Sequence, residues 1–182
     1  MRNEKIKVLI VDDSALIRRI IQNILVQDPD IEIVGTARDG KEALKMAAEL
    51  YPDIITLDVE MPVMDGISCI KHLLKQGQYG IIMISSFTKE RANETIRALE
   101  LGAFDFITKS GNIFDMFSPV KQKEIIDKIK LAYRTLKSNQ LFNTVERIKP
   151  KGSADNAGKP REMKYVIAMG VSTGGPRALS EI

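Results

Sequence analysis

At 182 residues, 44% hydrophobic and 28% charged, the chain fits one full soluble globular domain and part of another, which excludes a disordered protein. No apolar run reaches the length of a membrane span, residues 1–5 lead straight into a strand pattern with no signal peptide expected, and the single cysteine, Cys69, excludes an internal disulfide and suits a reducing compartment. The net charge of +3 is confined to residues 149–164, where five basic residues meet two acidic ones and leave 22 of each sign elsewhere, so a nucleic-acid surface is not expected.

Residues 6–11 are almost continuously apolar, as a central parallel strand covered on both faces requires. Leu16, Ile17, Ile20, Ile21, Ile24 and Leu25 then form one stripe of a helix over residues 14–25. Asp28-Pro29-Asp30 turns the chain, and the alternating residues 31–34 suit an edge strand. Asp39 and Glu42 stand at capping-box spacing before a helix carrying Ala43, Leu44, Ala47 and Leu50, which Tyr51-Pro52 closes. Residues 54–57 form a strand-length run that ends on Asp58, and Pro62 and Gly66 punctuate the loop after it. In the next helix Ile67, Ile70, Leu73 and Leu74 share a face; Cys69, at its margin, is expected to pack, and His72, opposite, to be solvated. Residues 81–84 form a strand ending in Ser85-Ser86. Residues 89–101 follow as a helix with Ala92, Ile96 and Leu99 inward and Gly102 as its stop. The last unit is a strand over residues 104–108 ending in Lys109 and a helix over residues 120–136 carried by Ile125, Ile126, Ile129, Tyr133 and Leu136.

Five β-α units with short right-handed crossovers predict an α/β fold, a doubly wound parallel sheet in the order 2-1-3-4-5. Its switch point lies between strands 1 and 3, where ligands bind at the carboxyl ends. Asp12, Asp13, Asp58, Ser85 and Lys109 all sit at strand ends. Taken singly, each has an ordinary explanation: an acid capping the first helix, or a structural ion pair. Their coincidence argues for a site. Three adjacent carboxylates raise one another's pKa unless a cation compensates, and Mg²⁺, with its preference for oxygen ligands, suits them; zinc would call for Cys and His. A nucleophilic carboxylate, a divalent ion, a lysine and a hydroxyl are the inventory of phosphoryl transfer.

Beyond the fifth helix the character changes. Residues 138–164 read as a linker, with residues 149–164 Gly-, Pro-, Ser-, Lys- and Asn-containing and without apolar period. Residues 165–169 restart as a strand, Gly170-Val171-Ser172-Thr173-Gly174-Gly175-Pro176 follows, and a helix begins at Arg177.

The set Val11-Asp12-Asp13-Ser14, Leu57-Asp58, Met61-Pro62-Val63-Met64-Asp65-Gly66, Ser85 and Thr108-Lys109 resembles a response-regulator receiver domain of the flavodoxin-like type. The resemblance implies that Asp58 is the phosphoacceptor, and that Asp12, Asp13, Asp58 and the backbone carbonyl of Glu60 hold Mg²⁺. It also implies that Ser85 and Lys109 contact the phosphoryl group and that Phe106 is an aromatic switch turning inward on phosphorylation. Ile167 to Pro176 is similar to the opening of the catalytic domain of the chemotaxis methylesterases, the CheB family, with Ser172 at the nucleophile's place. This implies a cytoplasmic protein with a receiver over residues 1–137, a linker over 138–164 and an incomplete catalytic domain over 165–182. Its partners would be a histidine kinase and methyl-accepting chemotaxis receptors, with neither nucleic acid nor membrane insertion. Ser110 stands where the family usually has proline, so the Lys109-Ser110 peptide is expected to be trans. His72 is the single histidine, so these residues alone are expected to lack esterase activity, with residues 165–182 mobile or added to a sheet edge. The competing readings are a stand-alone receiver acting as a phosphorylation-dependent binding switch and a transcription factor without its DNA-binding domain.

Overall fold

Strand-length apolar runs followed by amphipathic helices build the α/β fold in the computed structural model, which describes residues 4–86, 92–109 and 113–148. The elements are β1 (Ile6–Val11), α1 (Ala15–Leu25), β2 (Ile31–Ala37), α2 (Gly40–Leu50), β3 (Ile54–Asp58), α3 (Gly66–Gln76), β4 (Gly80–Ser86), α4 (Ala92–Glu100), β5 (Asp105–Lys109), a 3-10 turn (Ile113–Phe117) and α5 (Pro119–Ile148). The five strands are parallel and lie in the order β2-β1-β3-β4-β5, as the sequence predicts.

Alternation along each strand divides the core in two. Val8, Ile10, Ile54, Ile82, Ile84 and Ile107 face Ile20, Ile21 and Ile24 of α1 and Ile125 and Ile129 of α5. Leu9, Val11, Ile55, Leu57, Ile81 and Met83 face Ala43 and Ala47 of α2, Cys69, Ile70 and Leu73 of α3, and Ala98 of α4. Full burial of one such aliphatic side chain contributes about 1.5–3 kcal/mol. Lys130 fastens α5 to the turn before β2, with its ammonium 2.7 Å from Asp28 and 2.9 Å from Asp30.

Short polar side chains start the helices. Ser14 Oγ accepts the Ile17 N–H, Asp39 Oδ1 accepts that of Glu42 at 2.9 Å, and Asp65 Oδ1 accepts that of Ser68 at 2.7 Å. Each cap is worth about 1 kcal/mol. The capping box is skewed by one residue, because the Glu42 carboxylate takes the N–H of Arg38 rather than that of Asp39. Gly102, at φ 112°, ends α4 as expected: its N–H donates to Leu99 and that of Ala103 to Ala98.

Some helix faces differ from the periodic reading. Leu16, Ile96 and Leu99 are 58%, 55% and 38% exposed, and α4 packs through the small Ala98 instead. Cys69 is buried and His72 exposed, as expected. The strand β2 runs to Ala37 with a register break opposite Val8 and Leu9, and α5 continues past Leu136 to Ile148. Among the described residues no helix is long and apolar enough to cross a membrane.

Candidate functional site

The same alternation assembles the site. Asp12 continues the row Val8, Ile10; Asp58 continues Ile54, Thr56; Lys109 continues Ile107. All three rows lie on the face covered by α1 and α5. The pairing of Val11 with Leu57 sets Asp12 beside Asp58 at the carboxyl end of the sheet, across the switch point. Both acids are buried, and Asp13, one residue on, is exposed. The three carboxylates offer oxygens within 4.8 Å of one another. Lys109 Nζ lies 2.8 Å from Asp12 Oδ2 and 2.7 Å from Asp58 Oδ2.

Burial pushes the Asp58 carboxyl up to about 6; the Lys109 ammonium pulls it down, and Asp12 and Asp13 push it further up. Asp12 is also raised, by burial first, against the opposing pull of Lys109 and the Ser14 N–H. Burial works against the Lys109 charge, yet Asp58 and Asp12 together hold its pKa above the ordinary value. Mutual repulsion of the acids, the cause expected from sequence, is thus secondary to burial. A site with three acids and one lysine retains negative charge and offers only hard oxygen donors, a set that fits a divalent ion of the Mg²⁺ kind and not zinc.

The loop after Asp58 is held by its own main chain. The Val59 N–H donates to Ile84, the Gly66 N–H to Val59, and the Gly40 N–H to Met64. The Met64 N–H donates to Pro62 at 2.7 Å, closing a γ-turn over Val63. At φ 67° this β-branched residue occupies left-handed backbone, a strained state maintained by the surrounding bonds. Cys69 donates its thiol to Gly40, and burial pushes the thiol up to about 12, so it is no nucleophile.

Of the remaining predicted residues, Ser85 is buried at the end of β4 and shares a face with Phe106, because Met83 pairs with Phe106 and Ser85 with Thr108. Phe106 is 36% exposed, with Lys128 Nζ 5.1 Å from its ring centroid. Glu60 is exposed on the loop. Ser110, and with it the Lys109-Ser110 peptide, lies outside the described residues, as do Ser172 and the rest of residues 149–182.

The response regulator receiver domain matches residues 8–121. The chain belongs to the response-regulator receiver family. Its receiver is CheB-like. The response regulator domain of Thermotoga maritima CheB is similar at TM-score 0.66 and 43% identity, over 72% of this chain and 98% of that one. The CheX-CheY-BeF3-Mg complex from Borrelia burgdorferi is similar at TM-score 0.60 and 31% identity, over 71% of this chain and 90% of that one. Among curated proteins, protein-glutamate methylesterase/protein-glutamine glutaminase 2 of Koribacter versatilis is 43% identical over 98% of this chain and 50% of its own length. The chain therefore spans about half the length of the curated relatives it matches.

Within this receiver, sequence reasoning missed Arg18, whose guanidinium reaches two carbonyls of the acidic loop, and the close approach of Gly66 to Asp58. The Arg18 contact leaves no pattern in the sequence. Gly66 stands in the sequence as loop punctuation and as the end of the Met61–Gly66 motif, and neither reading shows how closely its Cα meets the Asp58 main chain.

Proposed function

We propose that Asp58 accepts a phosphoryl group from a histidine kinase and that the receiver thereby controls a methylesterase. The observation that carries this reading is the Lys109 ammonium bridging Asp12 and Asp58 at 2.8 and 2.7 Å, at the switch point of the sheet. An ionised Asp58 oxygen attacks phosphorus, the phosphorus–nitrogen bond of the phosphohistidine breaks, and an acyl phosphate forms. Lys109 is in position to hold an oxygen of the arriving group, and Ser85 supplies a hydroxyl from the neighbouring strand end. Asp12, Asp13, Asp58 and the Glu60 carbonyl would hold Mg²⁺, which when bound supplies charge neutralisation at the phosphoryl oxygens. The similar Borrelia burgdorferi CheY, in complex with BeF3 and Mg²⁺, supports this assignment. The face shared by Ser85 and Phe106 gives a route by which a hydroxyl drawn toward the phosphoryl group frees space for the ring to turn inward.

The protein to which the receiver belongs is read as a cytoplasmic protein-glutamate methylesterase, with glutaminase activity on the pattern of its relatives' names, acting on methyl-accepting chemotaxis receptors. Residues 1–137 are its receiver, 138–164 its linker and 165–182 the opening of its catalytic domain, with Ser172 the nucleophile. The 182 residues alone are proposed to lack esterase activity, since His72 is the single histidine and is exposed on α3.

The test is intact mass after incubation with acetyl phosphate and Mg²⁺. One added phosphate is expected, and none in Asp58→Asn; equal phosphorylation of that variant would refute the assignment. Methanol release from methylated receptor by these residues, lost in Ser172→Ala, would refute the proposed inactivity.

A further inference from the structure

We propose that Arg18 is a positioning residue for the metal site, aiming the Asp13 carboxylate by fixing the main chain on either side of it. Arg18 Nη1 donates to the Asp12 carbonyl at 2.6 Å and to the Asp13 carbonyl at 3.0 Å. Its own N–H donates to the Ser14 carbonyl at 3.0 Å. One residue of α1 thus takes three consecutive carbonyls of the loop that leaves β1. Asp12 needs no such help. Its side chain is buried between the Ser14 N–H at 2.9 Å and Lys109 at 2.8 Å, and its N–H is fixed to Ala37 at 3.1 Å. Asp13 differs, because its side chain is exposed. The direction of its Cα–Cβ bond is set by the peptides before and after it, and the carbonyls of both are bound by the same guanidinium nitrogen.

This inference rests on the reading that Asp13 is a Mg²⁺ ligand. Two physical effects of Arg18 oppose each other. A cation beside a metal site repels the metal, whereas a fixed ligand binds it more tightly because less freedom is lost on binding. The charges that act on the Asp12 and Asp58 carboxyls are chiefly those of Lys109 and of the neighbouring acids. Arg18 spends its guanidinium on main-chain oxygens, and residues that orient a metal ligand from outside typically change metal affinity about 10–100-fold when replaced. Positioning therefore outweighs repulsion, and removal of Arg18 weakens Mg²⁺ binding.

The experiment is calorimetric titration of the unphosphorylated 182-residue chain with Mg²⁺, for the unaltered protein, Arg18→Met and Arg18→Lys. The Met variant should bind about 10–100-fold more weakly. The Lys variant should fall between, because an ammonium keeps the charge and loses the planar fork. In phosphorylation by acetyl phosphate, half-saturating Mg²⁺ should rise by the same factor, while the rate at saturating Mg²⁺ stays at that of the unaltered chain. Unchanged or tighter binding would overturn the proposal, as would a loss of saturating rate without a change in Mg²⁺ requirement. If circular dichroism finds Arg18→Met unfolded, the Lys variant decides by the same criteria. An unaltered chain that binds no Mg²⁺ would instead overturn the reading of the site itself, and this inference with it.

Discussion

Gly66 approaches the main chain of Asp58 so closely that a Cβ at position 66 would enter the Asp58 carbonyl oxygen, with the carbonyl carbon at 3.0 Å and Val59 Cα at 3.1 Å. The obstacle is backbone on both sides, so nothing flexible can give way. Gly66→Ala is therefore expected to lower stability by about 1–3 kcal/mol and to slow phosphorylation, because relief of the clash moves the Asp58 peptide. Urea denaturation and the rate with acetyl phosphate check both effects; an alanine variant equal to the parent in both contradicts the close approach.

Asp58 makes stability depend on pH in a stated direction. Its folded-state pKa of about 6 lies above the ordinary 3.8, so between these values the folded protein binds more protons than the unfolded chain. Its stabilising contribution is complete below about pH 4 and lost as pH rises through about 6. Asp58→Asn removes this dependence and leaves Asp12 as the partner of Lys109. In Mg²⁺-free buffer the variant should gain on the parent as pH rises from 4, reaching at most about 3 kcal/mol above pH 6. Denaturation curves at pH 4, 5, 6 and 7 test this, and a constant difference across them refutes it.

Lys109→Met is expected to act in the opposite sense. Asp12 and Asp58 would be left buried without their cation, at a cost of about 3–5 kcal/mol near pH 7 without Mg²⁺. Both carboxyls then rise further, the folded state takes up protons on acidification, and the deficit shrinks toward pH 4. Chemical denaturation across that range is the measurement. A deficit independent of pH would mean that packing, not charge, is what Lys109 supplies.

Lys128 holds Phe106 from the edge of the sheet. Its ammonium lies 5.1 Å from the ring centroid, donates to the Phe106 carbonyl, and is anchored by Asp105 at 3.0 Å and Glu124 at 3.7 Å. The partly exposed cation–π contact is worth about 0.5–1 kcal/mol, a bias toward the outward ring. Lys128→Met should raise the inward population of Phe106 in unphosphorylated protein, read from ring nuclear Overhauser contacts to Ser85. Identical contacts in parent and variant would dismiss the latch.

The sheet order and the trio Asp12, Asp58 and Lys109 were legible because a strand that ends abruptly on a polar group leaves a plain linear signal, repeated from unit to unit. Helix orientation was less so. Ile96 and Leu99 are apolar together, but the helix faces the core through Ala98, about 200° around from Ile96. A small residue can make the closest contact without adding to an apolar stripe. The sequence also predicts too early an end for α5. The stripe carried by Ile129, Tyr133 and Leu136 shifts phase after Leu136, yet Leu141, Val145 and Ile148 recur at helical spacing, no glycine or proline interrupts the chain before Pro150, and the helix continues to Ile148. The 3-10 turn at Ile113–Phe117 is too short for any period to reveal, and Arg18 binds main-chain oxygens that every residue carries.

The rows Val8–Ile10–Asp12, Ile54–Thr56–Asp58 and Ile107–Lys109 have a consequence for how errors in folding are detected. A slip of one residue in β1, β3 or β5 would carry the acid or the lysine to the opposite face of the sheet, away from its partners. A misregistered molecule could remain collapsed and hydrophobic inside, yet Asp12, Asp58 and Lys109 would no longer meet. On the proposed reading, in which Asp58 takes up phosphate beside Asp12 and Lys109, such copies lose the assembled site and are silent rather than constitutively active. The side-chain contacts that assemble the site are thus also a mark of the one strand register in which they can form.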